Sequence, residues 1–290
     1  MNTGENMTEK IILITGGNSG IGFEAAKVLS EVEGNKVYIL CRSEEKGKIA
    51  QMELGNKVEL MLLDLADLGA VKRFTENFPL DRVDTLINNA GVMDIPKLTL
   101  TKNGLETQVG VNHFGHFALT TGLLDKLKKS DDPRVITVSS IAAYAKKFDY
   151  NNINAQRHYS RYGAYQTSKL CNLLFMHELG RRNKWLTSVA VHPGVADTNI
   201  ARNMGIIGRK AFDNVFRTVA GQTAEEGAIP MVYAAITQDL RSGMFIGPKY
   251  MTKGPIEEVK KPLESRKISS GQRLWALSET IIESVNTEEE

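Results

Sequence analysis

Short runs rich in Val, Ile and Leu alternate with longer amphipathic stretches along most of this chain. The runs are Ile11–Thr15, Lys36–Leu40, Val58–Leu62, Val83–Ile87, Arg134–Val138, Thr187–Val191 and Met244–Ile246. They show little polar alternation, which is the pattern of strands covered on both faces. Between them lie helical periodicities over Ile21–Glu33, Glu44–Leu54, Leu68–Asn77, Gly104–Lys129, Gly163–Asn183 and Ala224–Thr237. Strand–helix–strand repetition with right-handed crossovers predicts an α/β fold: one doubly wound parallel sheet of about seven strands with helices on both faces. No Pro-, Gly- or Ser-rich linker divides it. A single domain is expected over 10–283, with a polar tail at 1–9 and an acidic tail at 284–290.

Composition narrows the partners. With 42% hydrophobic and 24% charged residues over 290 positions, the chain reads as a folded soluble protein. A net charge of +2 offers no basis for a nucleic-acid or membrane-surface partner. No apolar stretch approaches the roughly 20 residues that span a bilayer, so no transmembrane anchor is expected. A secretory signal is not evident, and a cytoplasmic location is the default expectation. Cys41 and Cys171 read as buried thiols. His113, His116, His158, His177 and His192 are scattered without ligand spacing, so no metal is expected.

Two local patterns carry chemistry. The first strand runs into T-G-G-N-S-G-I-G and then a helix, so Gly16, Asn18, Ser19, Gly20, Ile21 and Gly22 form a turn able to cradle a pyrophosphate at a helix N-terminus. That placement marks a Rossmann-type domain. The second strand ends in Cys41-Arg42 where an NAD-binding chain commonly carries an acid, and a guanidinium there can pair with a 2′-phosphate. NADP(H) is therefore expected, with Arg42 as the discriminator. The second pattern is Y-Q-T-S-K: Tyr165 and Lys169 lie one helical turn apart. A cation beside a phenol lowers its pKa and allows proton exchange with a substrate oxygen near neutral pH.

N-N-A-G at Asn88–Gly91, V-S-S at Val138–Ser140 and H-P-G-V-A-D-T at His192–Thr198 follow at the ends of later strands. Together with the glycine turn and Y-Q-T-S-K, they resemble the short-chain dehydrogenase/reductase family, over about Lys10 to Ile282. The resemblance implies Tyr165 as general acid or base, with Lys169 bonding the nicotinamide ribose and lowering the tyrosine pKa. It implies Ser140 holding the substrate oxygen and Asn112 holding a water in a proton relay through Lys169. Asp64 and Leu65 would meet the adenine, and Asn89, Ala90 and Gly91 the adenosine ribose. Pro193, Gly194, Val195 and Thr198 would face the nicotinamide, while Thr15 would act structurally near N-N-A-G. Ser139 competes with Ser140, which alignment to the motif favours. Tyr144, Tyr150, Tyr159 and Tyr162 lack a lysine four positions later.

A long polar and aromatic segment, 146–161, precedes Tyr165. With S-K-L-C-N after the tyrosine and L-W-A-L-S-E near the C-terminus, it resembles the retinol dehydrogenase and protochlorophyllide reductase branch. That branch implies a small apolar carbonyl or alcohol as substrate. The stretch 199–222, apolar and basic, is the expected substrate loop. The family commonly forms dimers or tetramers on its long helices, and this branch includes monomers, so a monomer or homodimer is expected. The alternative to an NADP-dependent oxidoreductase is an NADP(H)-binding sensor or scaffold without turnover. Such a protein would be free to lose Tyr165, Lys169 or Ser140, and all are present.

Overall fold

The computed structural model describes residues 9–145, 149–195 and 222–288. Its strands are β1 (Lys10–Thr15), β2 (Asn35–Cys41), β3 (Val58–Leu62), β4 (Thr85–Asn88), β5 (Arg134–Val138), β6 (Thr187–Val191), β7 (Phe245–Pro248) and β8 (Ile256–Glu258). They form one eight-stranded sheet in the order β3-β2-β1-β4-β5-β6-β7-β8. All pairs from β3 to β7 are parallel, and β8 joins β7 antiparallel. The additional strand is three residues, Ile-Glu-Glu, too short and polar for a hydrophobic pattern to reveal.

Alternate strand residues feed two separate cores. Ile12 and Ile14 point into the layer containing α1 (Gly20–Glu31) and, later in the chain, the helix Ala224–Ile236. Leu13, Leu86 and Val135 point into the opposite layer. This two-sided covering explains why the strands read as continuous apolar runs. Local capping sets the helix starts. Ser43 accepts the Lys46 N–H at the head of α2 (Glu44–Leu54), and Asp67 accepts the Ala70 N–H at 3.0 Å at the head of α3 (Leu68–Glu76).

The helix expected over Gly104–Lys129 is broken. Gly104 has φ 72°, and helix begins only where the Glu106 carboxylate accepts the Gln108 and Val109 N–H groups, at 3.0 and 2.9 Å. α4 (Thr107–Val109) then passes through a π-helical stretch, Gly110–Phe114, into α5 (Gly115–Gly122). After an interruption at Leu123, α6 (Leu124–Leu127) closes the segment. α7 (Arg161–Arg182) is capped by Ser160, and α8 (Ala224–Ile236) by a Thr223–Glu226 capping box.

The last helix, α9 (Ile268–Glu288), was not anticipated, and it replaces the tail expected from 284. Val285 is buried in the core there. The helix carries its apolar positions at Leu274, Trp275, Ile281, Ile282 and Val285, a helical stripe that the Ser-Ser-Gly opening obscures. Trp275 packs edge-on against Phe117 at 4.9 Å and stacks on Phe175 at 6.0 Å, so α9 lies over α5 and α7. Among the described residues, no helix is long and apolar enough to cross a membrane.

Buried histidines tie this packing to pH. Burial pushes His113 down to about 3 and His116, His177 and His192 down to about 4. Folded-state values thus lie below the unfolded value near 6.5, so protons bind the unfolded chain preferentially. Their contribution is complete above about pH 6.5 and is lost as pH falls toward about 4, on the order of 3 kcal/mol per group across that window. The urea midpoint is expected to fall steeply between pH 7 and 5. A midpoint unchanged across that interval would exclude buried neutral histidines as the cause of acid sensitivity.

Candidate active site

The carboxyl ends of the parallel strands open into a cleft of about 300 Å³. At its floor one hydroxyl organises two strand exits. Thr15 Oγ1, at the end of β1, accepts the Asn89 and Ala90 N–H groups, each at 2.9 Å. Its own proton goes to His116 Nε2 at 2.8 Å, because the opposite ring nitrogen, Nδ1, faces the Asn112 carbonyl at 3.0 Å and must be the protonated one. The Asn89 side chain returns the contact by donating to the Thr15 carbonyl at 2.8 Å. The expected structural role of Thr15 thus has a concrete geometry, with His116 as its unexpected partner.

The glycine turn fits closely over this floor. Gly16 has φ 66° and Gly20 φ 58°. A Cβ at Gly16 would stand 3.0 Å from Ala90 Cα, and one at Gly22 would stand 2.5 Å from the Gly16 carbonyl oxygen and collide with the Asn89 amide. Ser19, the N-cap of α1, makes no side-chain capping bond. The leading N–H groups and positive dipole end of α1 therefore face the cleft, beside Asn18 and Ile21 in its lining. A helix terminus without its own cap, framed by glycines, suits a pyrophosphate.

Arg42, Asp64 and Leu65 line the cleft where β2 and β3 end, and Ala90 and Gly91 line its middle. Asp64 Oδ1 is engaged with the Ala66 N–H at 3.0 Å. Tyr165, Lys169 and Pro193 border the far end. Gly22, Asn112, Ser140, Gly194 and Val195 stand outside the lining. Gly194, with φ 73°, donates its N–H to His192 Nδ1 at 3.2 Å, and Val195 donates to the Thr252 carbonyl at 3.3 Å. Thr198 and the stretch 199–221 lie outside the described residues, as do 146–148.

The two serines differ in their bonds. Ser139 is buried and donates to the Lys169 carbonyl at 2.7 Å, which commits its hydroxyl to α7. Ser140 accepts the Ala142 N–H at 3.2 Å and is hydrogen-bonded to the Tyr165 phenol. Tyr162, one turn before Tyr165, is half exposed with its ring 6.5 Å away.

Burial dominates the electrostatics. It pushes the Tyr165 phenol up to about 12, against the opposing hydrogen bond from Ser140. The same burial pulls Lys169 down to about 8. Lys169 Nζ lies 5.7 Å from the Tyr165 ring centre and donates to the Val138 carbonyl at 3.0 Å. The lowering of the phenol expected from this lysine is therefore outweighed: removing both groups from water disfavours both charges. The phenol is held protonated at neutral pH.

Asn112, in the π-helical stretch, spends its amide on its neighbours. Oδ1 accepts the Val92 N–H at 2.8 Å, and Nδ2 donates to the Val92 carbonyl at 3.0 Å and to Ser168 Oγ at 2.9 Å. It clamps the chain after N-N-A-G to α7. Two participants were overlooked in the sequence: Gln108 and Asp94, both buried next to this clamp. Gln108 is four positions before Asn112 in an otherwise apolar helical face, a polar i, i+4 pair that marks a buried network.

The sequence profile of the short chain dehydrogenase family matches residues 10–205. Human retinol dehydrogenase 12 is 36% identical over 285 residues, covering 95% of this chain and 87% of that protein. Human polyprenol dehydrogenase is 34% identical over 258 residues, covering 84% and 76%. The crystal structure of an uncharacterized protein from Mycobacterium paratuberculosis superimposes with a TM-score of 0.81 at 36% identity, covering 96% of this chain and 94% of that one. This fold and site define a nicotinamide-dependent oxidoreductase. The chain belongs to the short-chain dehydrogenase/reductase family, in its retinol dehydrogenase branch.

The Thr15 knot is open to a direct test. Thr15→Val leaves the Ala90 N–H without its acceptor and the Asn89 N–H with only the Ile87 carbonyl at 3.0 Å, and is expected to cost about 1–3 kcal/mol by urea unfolding, while Thr15→Ser costs under about 1 kcal/mol. Equal stability of the valine variant would show that the hydroxyl does not hold the two strand exits.

Proposed function

We propose that this protein is an NADP-dependent oxidoreductase acting on a small apolar carbonyl or alcohol, with Tyr165 as the proton-transfer group. The reading is carried by one juxtaposition: a buried phenol, hydrogen-bonded to Ser140 and neighboured by Lys169, borders the cleft into which the uncapped helix and glycine turn open. Bound nicotinamide would supply or accept the hydride. Gly16 and the Asn18–Ile21 backbone would hold the pyrophosphate, Asp64 and Leu65 the adenine, and Asn89 to Gly91 the adjoining ribose. Arg42, exposed at the mouth where β2 ends, would take the 2′-phosphate.

Reduction places negative charge on the substrate oxygen. The Ser140 hydroxyl donates to that oxygen and Tyr165 delivers its proton to it. A phenol that burial keeps protonated is ready for this direction. In oxidation Tyr165 takes the alcohol proton, and the Lys169 charge then opposes the cost of the buried phenolate. Lys169 also bonds the nicotinamide ribose. Asn112 serves the pair by fixing the Val92 backbone beside it.

An apolar substrate is supported by the relatives named for retinol and polyprenol. A monomer is supported by α9, which occupies the outer face of α5 and α7.

Arg42→Asp is expected to shift the ratio of kcat/KM for NADPH over NADH by about 100-fold toward NADH, in keeping with the loss of a charge-assisted pair worth about 1.5–3 kcal/mol and the gain of a repulsive carboxylate. An unchanged ratio would refute the NADP assignment. Tyr165→Phe is expected to bind NADPH as the parent does while losing at least about 100-fold in kcat against a panel of retinal, steroid, quinone and aldehyde substrates. Retention of most of the activity would remove the phenol from proton transfer. NADPH binding by the parent protein without turnover of any substrate would favour the sensor reading instead.

A further inference from the structure

The long segment before Tyr165 has a structural purpose that converges on Gln108. This side chain is fully buried, just ahead of the core residues Val109 and Val111 in sequence, and its amide is fully engaged. Oε1 accepts the Asp94 N–H at 3.1 Å. Nε2 donates to the Arg161 carbonyl at 2.8 Å and to the Tyr159 hydroxyl at 3.4 Å.

Each of these contacts leads to the catalytic cleft. Arg161 opens α7, and its carbonyl is the helical acceptor for the N–H four residues on, which belongs to Tyr165. Gln108 therefore grips the turn that carries the phenol. Asp94 lies just past Val92, a residue of the cleft wall. It is held in the left-handed region at φ 58°, a conformation that non-glycine residues keep only when their surroundings impose it. Its buried carboxylate pairs with Arg161 Nε at 3.1 Å. Tyr159 donates its own proton to the Ile95 carbonyl at 2.6 Å, which fixes the next residue of the same loop. The segment is in turn tied down by Asn154, whose Oδ1 accepts the Glu106 N–H at 2.8 Å, and by Tyr150, which donates to the Ser270 carbonyl at 2.6 Å.

We infer that Gln108 is a positioning residue for Tyr165, setting the separation between the phenol and the cleft wall at Val92–Asp94, with Tyr159 and the Asp94–Arg161 pair as its supports. The inference rests on Tyr165 as the proton-transfer group. Two covalently distant pieces of the site, the loop after N-N-A-G and the head of α7, are brought to one amide whose donors and acceptor are all used. A side chain of the same length without those atoms would leave the Arg161 carbonyl and the Asp94 N–H to find other partners. The phenol would then move relative to whatever the loop holds. Misplacement by about 1 Å costs on the order of 100-fold in rate.

The test uses the full chain with two variants. Gln108→Met keeps the shape and removes the three hydrogen bonds. Tyr159→Phe removes one hydroxyl at a half-buried position. The readouts are NADPH affinity, kcat and KM for a substrate of the parent protein, thermal midpoint, and the ring-carbon NMR resonance of 13C-labelled Tyr165. The expected result for Gln108→Met is a kcat lowered about 10- to 100-fold, with NADPH affinity within about 2-fold and a displaced Tyr165 resonance. Tyr159→Phe is expected to show the same changes in smaller measure. A lowered thermal midpoint with unaltered kcat and an unmoved Tyr165 resonance would reduce Gln108 to a packing role and overturn the inference. If Gln108→Met does not fold, Tyr159→Phe and Arg161→Gln decide by the same readouts. If the parent protein turns over nothing, the acid–base reading fails, yet the Tyr165 resonance still tests positioning: moved in the variants, it upholds Gln108, and unmoved, it overturns it.

Discussion

Two backbone N–H groups at the end of one strand must find acceptors where the chain leaves the sheet, and in this protein both find the Thr15 hydroxyl. A buried amide without a partner costs about 1–3 kcal/mol, so this contact is hard to exchange for another. Its consequence is proximity. The exits of β1 and β4 are drawn so close that only glycine fits at position 16, and the same closeness forbids a side chain at 22. His116 then completes the knot from α5 and carries the constraint to the Asn112 carbonyl. The glycine-rich turn is thus shaped from below by packing as well as from above by the group it is proposed to hold.

The same burial that secures the floor governs the chemistry. Tyr165 and Lys169 are both withdrawn from water, and desolvation drives their pKa values apart, the phenol up to about 12 and the ammonium down to about 8. Proximity of opposite tendencies alone would have lowered the phenol; desolvation wins because neither side chain has a solvent shell to share. For the proposed reaction this has a directional meaning. The neutral phenol is the proton donor needed in reduction, and oxidation requires the buried ammonium to stabilise the phenolate that forms.

Most of the sheet was readable because its central strands are buried on both faces and announce themselves within a few residues. The motifs at the strand ends were readable for a related reason: a turn that must approach another backbone needs glycine, and a cap needs a short polar side chain. The parts that escaped are those set by distant partners. The helix expected from 104 starts later, because Gly104 takes a positive φ and the Glu106 carboxylate caps the N–H groups of residues 108 and 109, an event invisible in a hydrophobic pattern. α9 hides its apolar stripe behind a polar opening, and only its contact with Phe117 and Phe175 shows where it belongs. Ser139 and Ser140 are told apart in the sequence only by alignment to the motif; in the structure one reaches the Lys169 carbonyl and the other the phenol.

The positions of the strands along the chain, their covering on both faces, the glycine-rich turn and the Tyr-Lys turn are properties of short stretches, and the amino-acid sequence alone determined them. Tertiary structure decided which hydroxyl faces the phenol, which way the pKa values move, and how the segment before α7 is put to use. Those depend on desolvation and on hydrogen bonds between residues far apart in the chain, such as Gln108 with Arg161 or Thr15 with Asn89. Burial and distance are set only when the layers close, so no local pattern encodes them.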